Sequence, residues 1–179
     1  MGLVPSALAG DYAQTLGLGV HFFTGTENSS LTGSNGYSLH VGAEKNKGFF
    51  RPSLSTDFSY AAGSTSIASS TYGYSMYYGQ FLGGFKVFAI PEGYIQPFLG
   101  VDGTLGSAIF KITNPPAGTD ANTLGLAYGY VLSIGANVSN SSSGRAFRLQ
   151  AQYWSVSSAL AGVSPFYLNG FRFTLGLVF

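Results

Sequence analysis

Between Leu124 and Val138 the chain sorts its residues by parity. Leu124, Leu126, Tyr128, Tyr130, Leu132, Ile134 and Val138 share one face; Gly125, Ala127, Gly129, Val131, Ser133, Gly135 and Asn137 share the other. A repeat of two is the signature of a β-strand. The second face carries the stronger constraint. A face turned to water would hold long charged groups such as Lys and Glu, and here it holds small ones. Small residues suit a crowded interior, such as the inside of an eight-stranded barrel, where there is room only for side chains. The greasy face must then point outward. A soluble lipocalin-type barrel alternates in the same way, but its outer face must tolerate water. Lipid is the better solvent for this one, and a closed barrel leaves no backbone donor unpaired there.

Composition agrees. Only 8% of the 179 residues are charged and 16% are aromatic, against roughly 25% charged in an average soluble protein. That balance excludes a disordered chain. A net charge of +1 with no basic cluster gives no footing for nucleic acid. With no cysteine, neither disulfides nor thiolate metal sites are available. No run of 18 apolar residues occurs, which excludes a transmembrane helix. The opening MGLVPSALAG lacks a basic start and is short for a signal peptide; it reads as the beginning of a mature chain.

Taken in order, the pattern predicts eight strands. The first runs from Tyr12 to Thr24, followed by a long polar loop over Gly25–Gly36. The second covers Tyr37 to Glu44, then a tight turn at Lys45–Gly48, then a third strand from Phe50 to Tyr60. A loop of small residues is predicted over Ala62–Thr71. The fourth strand, Tyr72 to Phe88, starts with Tyr72, Tyr74, Met76 and Tyr78 on one face. Its phase then blurs, and a bulge near Gly83–Gly84 would swap the faces, leaving Lys86 without a side. After a turn at Pro91–Gly93 the fifth strand spans Ile95 to Leu105, and a loop is predicted over Ser107–Asn122. The sixth strand is the one above; Asn140–Gly144 turn the chain into the seventh, Phe147 to Trp154. A last loop, Ser155–Pro165, leads to the eighth strand, Tyr167–Phe179. Four long loops then lie at one end, and three short turns with both termini at the other, as in bacterial outer-membrane barrels. Tyr12, Phe22, Tyr37, Phe50, Tyr60, Tyr72, Tyr94 and Tyr167 are candidates for interfacial aromatic girdles.

The final strand ends Phe171-x-Phe173-x-Leu175-x-Leu177-x-Phe179, and Gln96-Pro97-Phe98-Leu99-Gly100-Val101 opens the fifth. On these features the chain resembles the small eight-stranded outer-membrane barrels of the OmpA transmembrane-domain, OmpX and OmpW type. The resemblance implies an all-β, antiparallel, up-and-down transmembrane barrel forming a single domain over residues 1–179, in a bacterial outer membrane with both termini periplasmic. It implies that Phe171, Phe173, Leu175, Leu177 and Phe179 form the signal read by the outer-membrane assembly machinery. The expected partners are that machinery and outer-membrane lipid, both lipopolysaccharide and phospholipid, with no nucleic acid and a monomeric state.

Most of the charge falls on the predicted inner face: Glu44, Arg51, Asp57, Asp102, Arg148 and Arg172, joined by Asp11 and Lys86 where the phase of their segments runs inward. Buried charges need partners. An ion-pair network plugging the lumen is the plain reading; a polar path for ions or small solutes is the sharper one. Arg51 and Asp57 lie about 20 Å apart along one strand, so each must find its partner elsewhere. An apolar lining near Phe98, Val131 and Trp154 would favour a conduit for small hydrophobic molecules, as the resemblance to OmpW-type proteins suggests. Catalysis would need a base beside a nucleophile. His21 and His40, the only histidines, are expected to face inward near Asp57 or Glu44, in no motif of the lipid-modifying barrels. Two histidines also make a poor metal site. No enzyme activity, cofactor or metal is expected, and the role is read as structural or surface-interactive. Asn28-Ser29-Ser30, Asn137-Val138-Ser139 and Asn140-Ser141-Ser142 match a glycosylation acceptor, as chance allows in so Ser- and Asn-rich a chain.

Overall fold

The computed structural model describes residues 11–23, 31–67, 70–118, 122–140, 145–160 and 166–179. Eight strands follow one another: β1 (Tyr12–Phe23), β2 (Leu31–Lys45), β3 (Phe50–Ile67), β4 (Ser70–Phe88), β5 (Ile95–Ile112), β6 (Asn122–Asn140), β7 (Arg145–Leu160) and β8 (Phe166–Val178). Each pairs antiparallel with the next, and β8 pairs with β1 to close the barrel. The topology is up-and-down.

The register fixes the shape. A path across paired residues from Arg51 runs through Lys86, Gly100, Ser133, Gln152, Arg172, His21 and Gly36. It returns to β3 at Ala61, a displacement of ten residues. Eight strands with that stagger tilt by roughly 40° and leave a lumen only wide enough for side chains. Tilt also means that residues level with one another along the barrel axis are not the paired ones.

Parity sorts the wall as the alternation requires. Leu18, Leu54, Phe58, Phe81, Leu99, Leu126, Ile134 and Leu175 are exposed outward, while their chain neighbours are buried or half-buried within. On β3 the exposed Phe50 and Tyr60 lie ten residues apart, about 25 Å along the tilted axis. That is the height of the apolar band of outer-membrane barrels. Tyr12, Phe22, Tyr37 and Tyr94 are likewise exposed. Tyr72 departs from the girdle: it belongs to the inner row of β4 and packs, half-buried, against the apolar interior. The side chain of Tyr167 lies outside the described residues.

The strands are longer than their apolar patterns. β2 begins at Leu31, inside the predicted loop Gly25–Gly36; residues 25–30 lie outside the described set. β3 and β4 extend to Ile67 and Ser70, so the predicted loop Ala62–Thr71 is nearly all strand. β5 reaches Ile112 and β7 reaches Leu160, shortening the predicted loops Ser107–Asn122 and Ser155–Pro165. The reason is physical. Once strands pass the apolar band, both faces can be Ser, Thr and Gly, and hydrogen bonding continues with no hydrophobic period to reveal it. The contrast between long and short connections is correspondingly weaker than predicted. The bulge expected near Gly83–Gly84 is absent: β3 and β4 pair in unbroken register from Phe50–Val87 to Ile67–Ser70. A register shift occurs instead in β2, between Thr32 and Asn35. With the phase of β4 intact, Tyr74, Met76, Tyr78, Gln80, Leu82, Lys86 and Phe88 all point into the barrel.

Two kinds of glycine shape the wall. Gly48 closes the β2–β3 turn at φ +96°, a backbone that a side chain rarely adopts. Gly129 sits where β6 and β7 press together; a Cβ there would lie 2.1 Å from the Ser155 carbonyl oxygen.

Candidate functional site

The interior is built in layers, each supplied by several strands. The layer nearest the chain termini is centred on Glu44 of β2. Its Oε1 accepts from Arg148 Nη2 at 2.5 Å, and Lys86 Nζ stands 3.4 Å from Oε2. Arg148 Nε donates to Asn137 Oδ1 at 2.8 Å. The guanidinium of Arg148 lies 5.0 Å from the centre of the Phe98 ring, Phe98 packs on Phe88 with centroids 5.2 Å apart, and Arg51 covers Phe88 at 3.8 Å. A cation–ring–ring–cation stack therefore crosses the floor of the barrel. Arg51 also ties two turns together, donating from Nε to the Gly48 carbonyl and from Nη2 to the Pro91 carbonyl. The inner face gives these long side chains room by using glycine. A Cβ on Gly135 would fall 2.7 Å from the Phe98 ring, and one on Gly100 would fall 3.1 Å from Lys86 Cγ.

The second layer is centred on Asp57 of β3, which is fully buried. Oδ2 accepts from Arg172 Nη1 at 2.5 Å and from Gln80 Nε2 at 3.2 Å; Oδ1 lies 2.6 Å from His40 Nδ1. Arg172 Nε donates to Gln152 Oε1, and its guanidinium lies 4.5 Å from the Trp154 ring centre. Thr104 and Tyr78 both donate to Gln80 Oε1. Asp102, lying between the two layers, accepts from Ser53 Oγ at 3.1 Å. Charge-assisted hydrogen bonds of this density hold a buried carboxylate well.

Above Asp57 the interior turns apolar. Ala61, Tyr74, Met76, Tyr78, Ala108, Phe110, Ile112, Ala127, Val131, Trp154 and Val156 form one buried cluster. Val131 and Trp154 belong to it, whereas Phe98 lies in the floor. An outward concavity of about 530 Å³ lies on the wall of β1, β6, β7 and β8, between Leu18, Leu149, Ala151 and Phe173. Its surface is almost wholly apolar.

Glu44, Arg51, Asp57, Asp102, Arg148 and Arg172 all lie on the inner face and are buried. The structure brings Glu44 to Arg148 and Asp57 to Arg172. Among the described residues it gives Arg51 carbonyl and amide partners but no carboxylate, and Asp102 a serine. Lys86 belongs inside. Asp11 does not: it is exposed beyond the start of β1. Gln80 and Phe88, missing from the sequence reading, lie on the inner row of β4 with Lys86. An unbroken phase counted on from Tyr72 would have found both.

His40 and Asp57 are direct cross-strand neighbours, and His40 Nε2 lies 3.4 Å from Thr15 Oγ1. This makes a carboxylate–imidazole–hydroxyl chain, the order of a nucleophilic triad. Here Asp57 divides its oxygens among His40, Arg172 and Gln80, and Thr15 is a buried residue of the wall. His21 stands edge-on to Trp154, 4.9 Å between ring centres. Among the described residues no cluster of three metal-ligating side chains occurs.

No protein-family model matches the chain. No curated protein matches it either. Among solved structures it is similar to Neisserial surface protein A (NspA), at 13% identity over 94% of this chain and 96% of that one, with a TM-score of 0.55. It is also similar to the outer membrane protein OprG from Pseudomonas aeruginosa, at 10% identity over 94% of each chain, with a TM-score of 0.57. At such identities the likeness is one of fold: the chain has the fold of the small eight-stranded outer-membrane barrels.

Proposed function

We propose that this chain is an integral protein of a bacterial outer membrane whose lumen is closed, and that it acts as a scaffold presenting its distal connections to the surroundings. The observation that carries this reading is the pair of charged layers spanning the interior. Each takes side chains from strands on different sides of the barrel, so neither can open without breaking buried ion pairs. The apolar outer band supports the membrane location, and the likeness in fold supports an outer membrane; both termini facing the periplasm is part of the same proposal. Recognition of Phe171, Phe173, Leu175, Leu177 and Phe179 by an assembly machinery belongs to the same proposal.

The apolar upper interior favours a second reading, a conduit for small hydrophobic molecules. Such a molecule would have to displace Met76, Tyr74 and Phe110 and then leave sideways, since the floor is shut by the Arg51–Phe88–Phe98–Arg148 stack. Uptake by proteoliposomes separates the two. The scaffold reading expects neither small sugars nor a medium-chain alkyl probe to enter faster than into empty liposomes. Faster entry of the alkyl probe alone would establish the conduit.

A further inference from the structure

The mouth beside the chain termini is a cup of about 340 Å³, polar over most of its lining, with Arg51 and Asn137 at its base and Asn46, Gln96, Ser139 and Arg145 around it. Among the described residues no acidic side chain lines it. Arg51 is buried, yet among the described residues Nη1 finds no hydrogen-bond partner and is not sealed off, since only Nε and Nη2 are committed to Gly48, Pro91 and Gln96. Arg145 is exposed at the rim. Phe179, the last residue of the sequence, brings a carboxylate to the wall, one oxygen of which accepts from the Gln14 amide. The wider field has the same sign. Lys45, Lys47, Arg51, Lys86, Arg145 and Arg148, six of the chain's eight basic residues, lie toward this end against Asp11, Glu44, Glu92, the Phe179 carboxylate and, deeper, Asp102.

We propose that this cup is an anion site that takes a phosphate group. A guanidinium held rigidly by two turns, with a donor aimed into a concavity and a second guanidinium at the rim, matches tetrahedral oxyanions better than point cations would. A concave site of net positive charge also concentrates the field. The phosphate can belong to an anionic phospholipid headgroup or be free in solution. The lipid source rests on the orientation proposed above; the free anion does not.

The test uses the whole chain folded in a maltoside detergent. Inorganic phosphate is titrated against chloride at matched ionic strength, and the amide resonances of Asn46, Gln96 and Ser139 are followed. In parallel, lipid retained on the protein is counted by native mass spectrometry after extraction from phosphatidylglycerol or phosphatidylcholine nanodiscs. The Arg145 side chain is exposed and makes no hydrogen bond or ion pair with the described residues, so Arg145→Gln keeps the barrel intact, checked by its strand circular dichroism. Saturable shifts with phosphate, weakened at least fivefold by Arg145→Gln and by Asn46→Asp but not by Lys111→Gln at the far end, establish a free-anion site. Retention of phosphatidylglycerol alone, lost in Arg145→Gln, assigns the site to a headgroup. Absence of both effects overturns the proposal, as does an equal effect of Lys111→Gln, which would mean diffuse charge. None of these outcomes depends on whether the lumen conducts.

Discussion

Asp57 shows how much of the interior can be read from a sequence. Parity places it inside, and the lack of a partner on its own strand shows that it must reach across. Nothing in the sequence names Arg172, which lies on β8 and meets it only because a ten-residue stagger brings the two to one height. Register and shear, the quantities that choose partners, leave almost no local trace. The same holds for Glu44 and Arg148. Breaking one partner strands the other charge: Arg172→Met is expected to cost about 3–5 kcal/mol in urea unfolding from lipid. Arg172→Met combined with Asp57→Asn should recover most of that loss. If the double variant is as unstable as the sum of both singles, the pair is not coupled. At Gly129, where the Ser155 carbonyl stands 2.1 Å from a prospective Cβ, Gly129→Val is expected to cost on the order of 1–3 kcal/mol by overpacking. Gly103→Val serves as the control, since its nearest neighbour in that direction is 3.8 Å away. Equal losses would contradict the close approach of β6 and β7.

At the scale of the strand, the sequence is most legible where one face meets lipid and least where neither does. β6 is read correctly from Leu124 to Val138 because its outer row is large and its inner row is small. The upper parts of β3 and β4 read as loop because Ser64, Ser66, Ser70 and Thr71 carry no hydrophobic period, although β3 and β4 pair through all of them. The phase of β4 is lost for the opposite reason: large apolar residues occupy both faces, with Tyr and Phe on each, so only Gln80 and Lys86 betray the inner row. The outward band makes a direct prediction. Leu132→Arg, exposed near mid-barrel, is expected to destabilise the folded state in bilayers by about 2–4 kcal/mol. Thr71→Arg, exposed at the distal end, should change it by less than about 1 kcal/mol. The two values, measured by unfolding from the same liposomes, would come out alike if the barrel stood in water. For β8, Phe179→Ser is expected to slow insertion in liposomes carrying the assembly machinery while leaving spontaneous folding into detergent unchanged. Equal slowing in both would make the residue a packing element rather than a recognised signal.

For the whole molecule, eight strands, closure and sidedness of the wall follow from alternation and composition, and the structure agrees with them. The state of the lumen does not follow, because it depends on side chains from β2, β3, β4, β7 and β8 meeting at common heights. The interior that results holds two ion-paired layers and, above them, a buried apolar cluster; we read this as a closed lumen. The measurement that bears most directly on this account is the conductance of the folded protein in a planar bilayer over a range of salt. A closed lumen predicts silence at every salt concentration for the native chain. Discrete openings in the native protein, shifted in size by Arg148→Ala or Asp102→Ala, would show a water-filled path through the charged layers and contradict it.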